Sequence, residues 1–333
     1  MTPQDRRTVA AWLFLCAALV FATIMVGGAT RLTRAGLSIV EWQPLVGAIP
    51  PLSDADWQAL FAKYRATPEF RQVNFDMTLE GFKRIFWWEY AHRLLGRLIG
   101  LVFLVPYLWF LLKAKLERPL AWQLAGIFVL GAAQGALGWF MVQSGLIDEP
   151  KVSHLRLTAH LGLALLIFVA ELWLALALLG GRARSGWAAA LPFLVLAMAL
   201  SGAMVAGLRA GAAYNTFPLM NGHLVPPETF ALDPWWRNFV YNMAGVQLLH
   251  RGFFWVLAVV VPLAWWRWRQ EPAAHALLAA FVVQAALGIF TLLNGVPVLL
   301  GVAHQAGAVL VLTCAVWLAA SVRPKTCRGI AVP

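Results

Sequence analysis

Charged side chains are scarce in this chain, because Lys, Arg, Asp and Glu make up only 12% of its 333 residues. A soluble domain usually carries about 25% charged residues, whereas hydrophobic residues here reach 61%. Apolar stretches long enough to cross the roughly 30 Å hydrocarbon core of a bilayer recur along the whole chain. The composition therefore excludes a soluble globular protein and indicates an all-α polytopic membrane protein.

Cysteine is also rare, with only Cys16, Cys314 and Cys327 in the chain. No C-x-x-C pair is present, which argues against a thiol redox centre and against a zinc knuckle. No clustered Asp-x-x-x-Asp motif for diphosphate and magnesium occurs in any loop, which argues against a prenyltransferase. The formal net charge is +11. The sequence nevertheless has no basic face interleaved with aromatic residues, as proteins that bind single-stranded nucleic acids have, so we expect no nucleic-acid partner.

Hydropathy predicts eight spanning helices. They cover residues 9–28, 85–112, 120–142, 155–179, 187–208, 239–266, 274–293 and 298–322. Short connections rich in Lys and Arg all fall on one side, around residues 6–7, 113–118, 182–184, 267–269 and 323–328. The positive-inside rule assigns that side to the cytoplasm, with both termini there, in a bacterial inner membrane. Long loops at 29–84 and 209–238 then lie outside.

The first outer loop contains a predicted amphipathic helix. Ser53 is a candidate N-cap with Asp56 three residues on. An apolar stripe follows at helical spacing, formed by Trp57, Leu60, Phe61 and Tyr64. This helix is predicted either to lie on the membrane or to cap the helix bundle.

The chain repeats itself between its two halves. RAGLSIVEWQPLVGAIPP at 34–51 returns as RAGAAYNTFPLMNGHLVPP at 209–227, and AQGALGWF at 133–140 returns as VQAALGIF at 283–290. His92-Arg93 returns as His250-Arg251, and TAHLG at 158–162 as VAHQAG at 302–307. The simplest account is two tandem, pseudo-symmetric four-helix bundles, 1–184 and 185–333, related by an axis along the membrane normal.

Four histidines occupy repeat-related positions inside the apolar helices: His92 and His160 in the first half, His250 and His304 in the second. Ionisable residues within a membrane are costly and usually functional. Each half offers two imidazoles from non-adjacent helices, as bis-histidine haem ligation requires. No cysteine or carboxylate completes a zinc set, and copper lacks Met or Cys companions. The alternative is that each is a core histidine bonded to a backbone carbonyl.

The two histidine pairs differ in their flanks. Glu89 stands three residues before His92, whereas Gln247 stands three residues before His250. A carboxylate beside a metal site can exchange protons and an amide cannot, so the first half is predicted to hold the catalytic site. The second half is then predicted to hold an electron-transfer or structural haem. Glu89 has an alternative, compatible role as the ion-pair partner of Arg93.

Other charged residues in the spans have two interpretations each. Arg93, Arg97 and Arg251 lie near the outer ends of their predicted helices. Their guanidinium groups could bind the carboxylates of haem propionates, or they could extend to the membrane interface. Glu171 lies eleven residues beyond His160 on nearly the same helix face. It is predicted to be part of a proton route or to be a protonated or paired carboxylate.

Three features together resemble the haem A synthases of the alphaproteobacterial and mitochondrial type. They are the stretch GGATRLTRAGLSIVEWQPLVGAIPP (27–51), the helix EYAHRLLGR (89–97) and the paired histidines. The resemblance covers nearly the whole chain and implies an oxidoreductase that oxidises the C8 methyl group of haem O to a formyl group, by two hydroxylations and loss of water. The product, haem A, serves cytochrome oxidase assembly.

The resemblance also implies roles for individual residues. His250 and His304 would hold a haem b cofactor, His92 and His160 would flank the substrate haem O, and Glu89 matches the family's essential glutamate. The resemblance implies haem O synthase and cytochrome oxidase assembly factors as partners. It is also compatible with a homo-oligomer. Some relatives carry a cysteine pair in the first outer loop, and this chain has none there.

One chemical difficulty and one rival function accompany this prediction. Two axial histidines leave iron no open position for oxygen, so either His92 or His160 must release the metal or the oxidant forms differently. The rival is a quinol-linked di-haem b electron-transfer protein. Such proteins often place two ligands on each of two helices, whereas each helix here carries one intramembrane histidine.

Overall fold

The computed structural model describes residues 1–44, 46–180 and 187–322, and this part of the chain is helical without a β-strand. Its α-helices are α1 Pro3–Leu32, α2 Asp54–Arg65, α3 Pro68–Gln72, α4 Leu79–Leu112, α5 Arg118–Gln143, α6 His154–Leu178, α7 Leu191–Leu208, α8 Ala210–Ala213, α9 Asn238–Tyr241, α10 Met243–Arg267, α11 Pro272–Leu293 and α12 Val298–Ser321. Eight of them, α1, α4, α5, α6, α7, α10, α11 and α12, are long and apolar enough to cross a membrane. The predicted all-helical protein with eight spans is confirmed.

Capping residues extend two of these helices beyond the predicted apolar runs. The helix α1 begins six residues before position 9, because the Thr2 hydroxyl accepts a hydrogen bond from Asp5 N and Pro3 occupies the first turn. The helix α4 begins six residues before position 85, because Thr78 caps it in the same way at Gly81 N. Hydropathy marks the membrane-buried part of a helix, whereas side-chain caps set its ends.

The sixth predicted span, 239–266, was wrong at its start. Asn242 interrupts the helix with an extended backbone (ψ 125°), so that α9 and α10 are separate. The Asn242 side chain accepts from Ala244 N at 2.9 Å and donates to Glu228 O at 2.6 Å. One amide therefore starts α10 and ties it to the outer loop. The predicted start of the fifth span at 187 falls just before a 3-10 turn, Ala188–Ala190, that leads into α7.

The helix α2, in the long connection between α1 and α4, packs on the protein rather than lying free. The capping box between Ser53 and Asp56 is present, as predicted. Trp57 and Tyr64 are buried against the outer part of α4, with ring centroids 4.9 Å from Phe86 and 5.2 Å from Phe82, respectively. Of the two predicted alternatives, the structure favours the helix as a cap on the bundle.

The two halves of the chain share one hydrophobic core. The helices α1 and α6 of the first half pack against α7 and α12 of the second. Gln305 on α12 donates to Ile24 O on α1 at 2.8 Å, which joins the halves by a polar contact as well. The predicted boundary between residues 184 and 185 lies outside the described residues, as do the basic clusters at 182–184 and 323–328 and Cys327. The pseudo-symmetry of the halves stays a prediction.

Candidate functional site

The structure brings the four predicted histidines together in two pairs. His92 on α4 lies close enough to His160 on α6 for a charge on one to influence the other, and the same holds for His250 on α10 and His304 on α12. All four side chains are partly exposed. Each half therefore has two neighbouring imidazoles that the protein does not bury completely.

Every one of these rings lies against a glycine of the preceding membrane-spanning helix: α1, α5, α7 or α11. A Cβ on the glycine would lie within about 3 Å of the ring in each case: 2.8 Å for Gly27 and His92, 2.9 Å for Gly138 and His160, 3.0 Å for Gly202 and His250, and 2.8 Å for Gly288 and His304. The four glycines stand at positions related by the sequence repeat. Sequence reasoning missed them, although the repeated Ala-Leu-Gly of the third and seventh spans was a usable signal.

A serine fixes the orientation of His250. The Ser201 hydroxyl lies 2.9 Å from His250 Nδ1 and donates its own proton to Met198 O at 2.7 Å. The oxygen therefore accepts from Nδ1–H, and the Nε2 lone pair of His250 stays free for a metal. The repeat has Val26 at the position of Ser201, and the His92 imidazole makes no hydrogen bond within the described part of the chain. Sequence reasoning missed Ser201, which lies on another helix.

The second histidine of each pair is held through its backbone. Gln134 donates to His160 O at 3.0 Å, and Gln284 donates to His304 O at 2.8 Å. The Nδ1 atoms of His160 and His304 are buried and have no hydrogen-bond partner among the described residues. The other ring nitrogen of His160, Nε2, lies 3.4 Å from Gln134 Nε2. The alternative of a core histidine whose Nδ1 is bonded to a backbone carbonyl does not account for these unpartnered Nδ1 atoms.

Glu89 is buried, 3% exposed, and surrounded by hydrogen-bond donors. Its Oε2 accepts from Ser38 N at 2.8 Å, Ser38 Oγ at 2.7 Å and Ile39 N at 2.9 Å. Its Oε1 accepts from Arg93 Nε at 3.1 Å and Nη2 at 2.7 Å, so the ion pair named as an alternative is present. Gln247, its counterpart in the second half, is equally buried, and its Oε1 has no partner among the described residues.

The three arginines predicted to bind propionates hold the backbone of the two long loops. Arg93 donates to the carbonyls of Ile39 and Glu41, Arg97 to those of Gln43 and Pro44, and Arg251 to those of Tyr214, Thr216 and Pro218. The carbonyls of Ile39 and Glu41 correspond by the repeat to those of Tyr214 and Thr216. The role of these arginines toward propionates stays a prediction.

Two further carboxylates are buried. Glu69 on α3 is 5% exposed, and its Oε2 has no hydrogen-bond partner among the described residues. Burial, with a smaller contribution from Glu89, raises the pKa of Glu69 to about 7, against the opposing effect of Arg34 and Arg209. Glu171 on α6 is also buried, and its Oε2 has no hydrogen-bond partner in the part of the chain that the structure describes. Sequence reasoning missed Glu69, since a loop residue gives no periodic sign of burial.

The donor set fits haem better than a bare metal ion. Within the described ranges, no three His, Cys, Asp or Glu side chains cluster closely enough to hold a metal ion by themselves. Two imidazoles with unused ring nitrogens suffice for haem, because the porphyrin supplies the other four iron ligands. The glycine contacts also keep side chains away from the ring faces on that side.

The fold and these sites define a class of protein: a polytopic helical membrane protein with a pair of intramembrane imidazoles in each half. Residues 10–316 match the family described as cytochrome oxidase assembly protein. The chain belongs to this family.

Its similar relatives include proteins named heme A synthase. The chain is 56% identical over 330 residues to the one from Nitrosospira multiformis, covering 94% of this chain and 93% of the relative. It is 50% identical over 333 residues to the one from Nitrosomonas eutropha, with coverage of 95% and 94%. It is 47% identical over 325 residues to the one from Parvibaculum lavamentivorans, also with coverage of 95% and 94%. The family expected from the sequence motifs is confirmed.

Proposed function

We propose that this chain is a haem A synthase, a membrane oxidoreductase that converts the C8 methyl group of haem O to the formyl group of haem A. The observation that carries the proposal is the pair of imidazoles in each half, with a buried carboxylate beside only the first pair. Similarity to heme A synthases over nearly their full length supports it. Two successive hydroxylations followed by loss of water remain the proposed route.

The second half is the proposed cofactor site. His250 and His304 would hold haem b, and Ser201 would keep the Nε2 atom of His250 directed at the iron. When bound, haem b supplies one-electron redox chemistry. A fixed tautomer suits a cofactor that stays in place.

The first half is the proposed substrate site. His92 and His160 would flank haem O, and His92 lacks the hydroxyl partner that fixes its counterpart. A less restrained ring suits a site that must admit a substrate and release a product. It also suits the need for one axial ligand to leave the iron. Glu89 adjoins this site, and the proton exchange predicted for it would require some of its five donors to move.

We further propose that the protein lies in the bacterial cytoplasmic membrane with both termini in the cytoplasm. The clusters of Lys and Arg in the short connections support this orientation. The long loops 33–78 and 209–237 would then face the outer side, next to the histidine pairs. Haem O synthase would be the neighbouring enzyme that delivers the substrate, and cytochrome oxidase assembly would use the product.

Pigment extraction from the purified protein tests this function. The wild type is expected to contain haem b with traces of haem O or haem A. Glu89→Ala is expected to keep haem b and to accumulate haem O or a hydroxylated derivative, because the site next to His92 is disturbed. Glu80→Ala is the matched control, since Glu80 is an exposed acid on the same helix that pairs only with Lys83.

The rival function makes a different prediction for the same extraction. A quinol-linked cytochrome would contain two equivalents of haem b in the wild type and in the Glu89 variant, with no haem O derivative in either. That result would contradict the proposed function.

A further inference from the structure

We propose that residues 38–44 form a covering segment along the side of the substrate site, between α4 and α5, and that Ser38, Arg97 and Trp42 are positioning residues for the reaction. This inference rests on the proposed function. It assigns Glu89 a second task, which is to anchor this segment beside His92.

One face of α4 holds the near side of the covering segment. Glu89, Arg93 and Arg97 are spaced four residues apart and therefore lie along one face of the helix. Glu89 binds the start of the segment, Arg93 its middle and Arg97 its end, through the hydrogen bonds to residues 38, 39, 41, 43 and 44 described above. His92 follows Glu89 by three residues, so the segment is fixed directly beside the first imidazole.

The far side of the covering segment reaches a different helix. The Trp42 ring stacks on the Trp139 ring of α5, with centroids 5.5 Å apart and an interplanar angle of 24°. Trp139 directly follows Gly138, the glycine that contacts His160. The segment thus runs from α4 beside one imidazole to α5 beside the other. Both indoles are about half exposed, which places this contact at the rim of the site.

The anchor at Glu89 has no equivalent in the second half. The repeat replaces Glu89 by Gln247 and Ser38 by Ala213. Ala213 has no hydroxyl to donate, and Gln247 Oε1 has no partner among the described residues. Among the described residues, the hydrogen bonds from α10 side chains to the repeat-related segment 213–219 come from Arg251, whereas Asn242 binds this loop farther along, at Glu228 and Thr229.

The bridge to the neighbouring helix is also confined to the first half. The repeat replaces Trp42 by Phe217 and Arg97 by Trp255. The Phe217 ring stacks on Trp255 of α10, with centroids 6.4 Å apart, and so stays on the helix that already holds its loop. The indole pair that joins this segment to a second helix, Trp42 with Trp139, therefore has no counterpart at the repeat-related Phe217 among the described aromatic contacts.

A segment in this place has a clear task in a stepwise oxidation. It limits access of water to the site and keeps the partly oxidised substrate from leaving before the second step. When the segment is loosened, we expect an increase in the ratio of hydroxylated haem to haem A, together with a higher KM for haem O. A change in general stability would instead lower haem b content and both products in parallel.

The test compares Ser38→Ala and Arg97→Ala with two controls. Thr33→Ala removes a nearby hydroxyl that bonds only to its own helix, and Arg84→Ala removes an exposed arginine of α4 that makes no hydrogen bond among the described residues. Measured in the purified full-length protein are haem b per chain, kcat and KM for haem O, and the ratio of hydroxylated haem to haem A.

We expect Ser38→Ala and Arg97→Ala to keep haem b and to raise the KM for haem O roughly tenfold, as the loss of a hydrogen bond to a charged group can do. We expect Ser38→Thr to restore the wild-type product ratio, since it returns the hydroxyl. Trp42→Ala should raise the ratio of hydroxylated haem to haem A while leaving the hydrogen bonds between Ser38 and Glu89 intact.

Two results would overturn the inference alone: variants that match the controls in KM and product ratio, or variants that lose haem b in proportion to activity. In both, the wild type would still make haem A. A wild type that makes neither haem A nor hydroxylated haem would instead overturn the proposed function, and the inference with it.

Discussion

At the scale of single residues, four glycines determine how the imidazoles sit in the bundle. Replacing glycine by alanine inside a helix usually stabilises it by about 1 kcal/mol, because alanine has the better helix propensity. At Gly138 and Gly288 the added Cβ would instead lie 2.9 and 2.8 Å from a histidine ring, so the ring must move. The steric effect on the site can therefore be separated from any loss of helix stability.

The contact between glycine and histidine ring predicts a different effect of a Gly→Ala substitution in each half. Gly288→Ala should lower haem b content, because it displaces His304, whereas Gly138→Ala should keep haem b and reduce conversion of haem O. Gly131→Ala and Gly135→Ala are matched controls on α5, since a Cβ there has no atom within 4 Å. Absorbance of haem b per chain and extracted pigments are the measurements. Full haem b in the Gly288 variant would contradict the assignment of His304 as a ligand.

The hydroxyl of Ser201 should matter to the cofactor in a measurable way. We expect Ser201→Ala to weaken haem b retention about 10- to 100-fold, which is the usual effect of losing the partner of a metal-bound histidine. The midpoint potential should rise, because a histidine without an acceptor for Nδ1–H donates less electron density to ferric iron. Redox titration and haem loss to a scavenger protein measure these effects.

The control for Ser201 is Thr313→Ala, which removes a hydroxyl that bonds only to Val309 O of its own helix. If the Ser201 and Thr313 variants hold haem b equally well and at the same potential, the hydrogen bond to His250 has no part in cofactor binding.

At the scale of elements, the sequence predicts the centres of helices better than their ends and loops. Eight apolar runs sufficed to place all spans, since each must cover the hydrocarbon core. The break at Asn242 was not predictable from hydropathy, because it depends on an amide that reaches the carbonyl of Glu228, fourteen residues away. The bond from Ser38 to Glu89 joins residues 51 positions apart, so no local pattern reveals it. The histidine pairs and the Glu89 difference were predictable, because they recur at repeat positions.

The packing of the outer helices on α4 should depend on pH through Glu69. Its folded-state pKa of about 7 lies above the ordinary 4.5, so the folded protein keeps a proton that the unfolded chain releases. Stability should therefore fall as the pH rises from about 4.5 to about 7 and change little from this cause above that range. Glu69→Gln removes the titrating group and should flatten this part of the profile.

Thermal unfolding in detergent between about pH 5 and about pH 8 measures this effect. Glu80→Gln is the control, because it alters an exposed acid that pairs with Lys83 at the start of α4. If the wild type and the Glu69 variant lose stability in parallel over this range, the buried Glu69 carboxylate is not the group responsible.

At the scale of the whole molecule, the two halves carry different residues beside their histidine pairs while sharing one hydrophobic core. The helices α1, α6, α7 and α12 form the interface between them, and the core runs through it without a break. Each half contributes a repeat-related set of glycines and histidines. The differences that touch the histidine pairs include Glu89 against Gln247 and Val26 against Ser201. On the proposed function, these changes would separate a substrate site from a cofactor site within one architecture.

The contact between α1 and α12 also bears on how the protein is made. Ribosomes deliver helices to the membrane in chain order, so α12 arrives after every other span. Until then Ile24 O on α1 lacks the hydrogen bond that Gln305 donates in the complete fold. The contact between the first and the last span therefore forms last, and a chain truncated before α12 leaves the earliest helix without this neighbour.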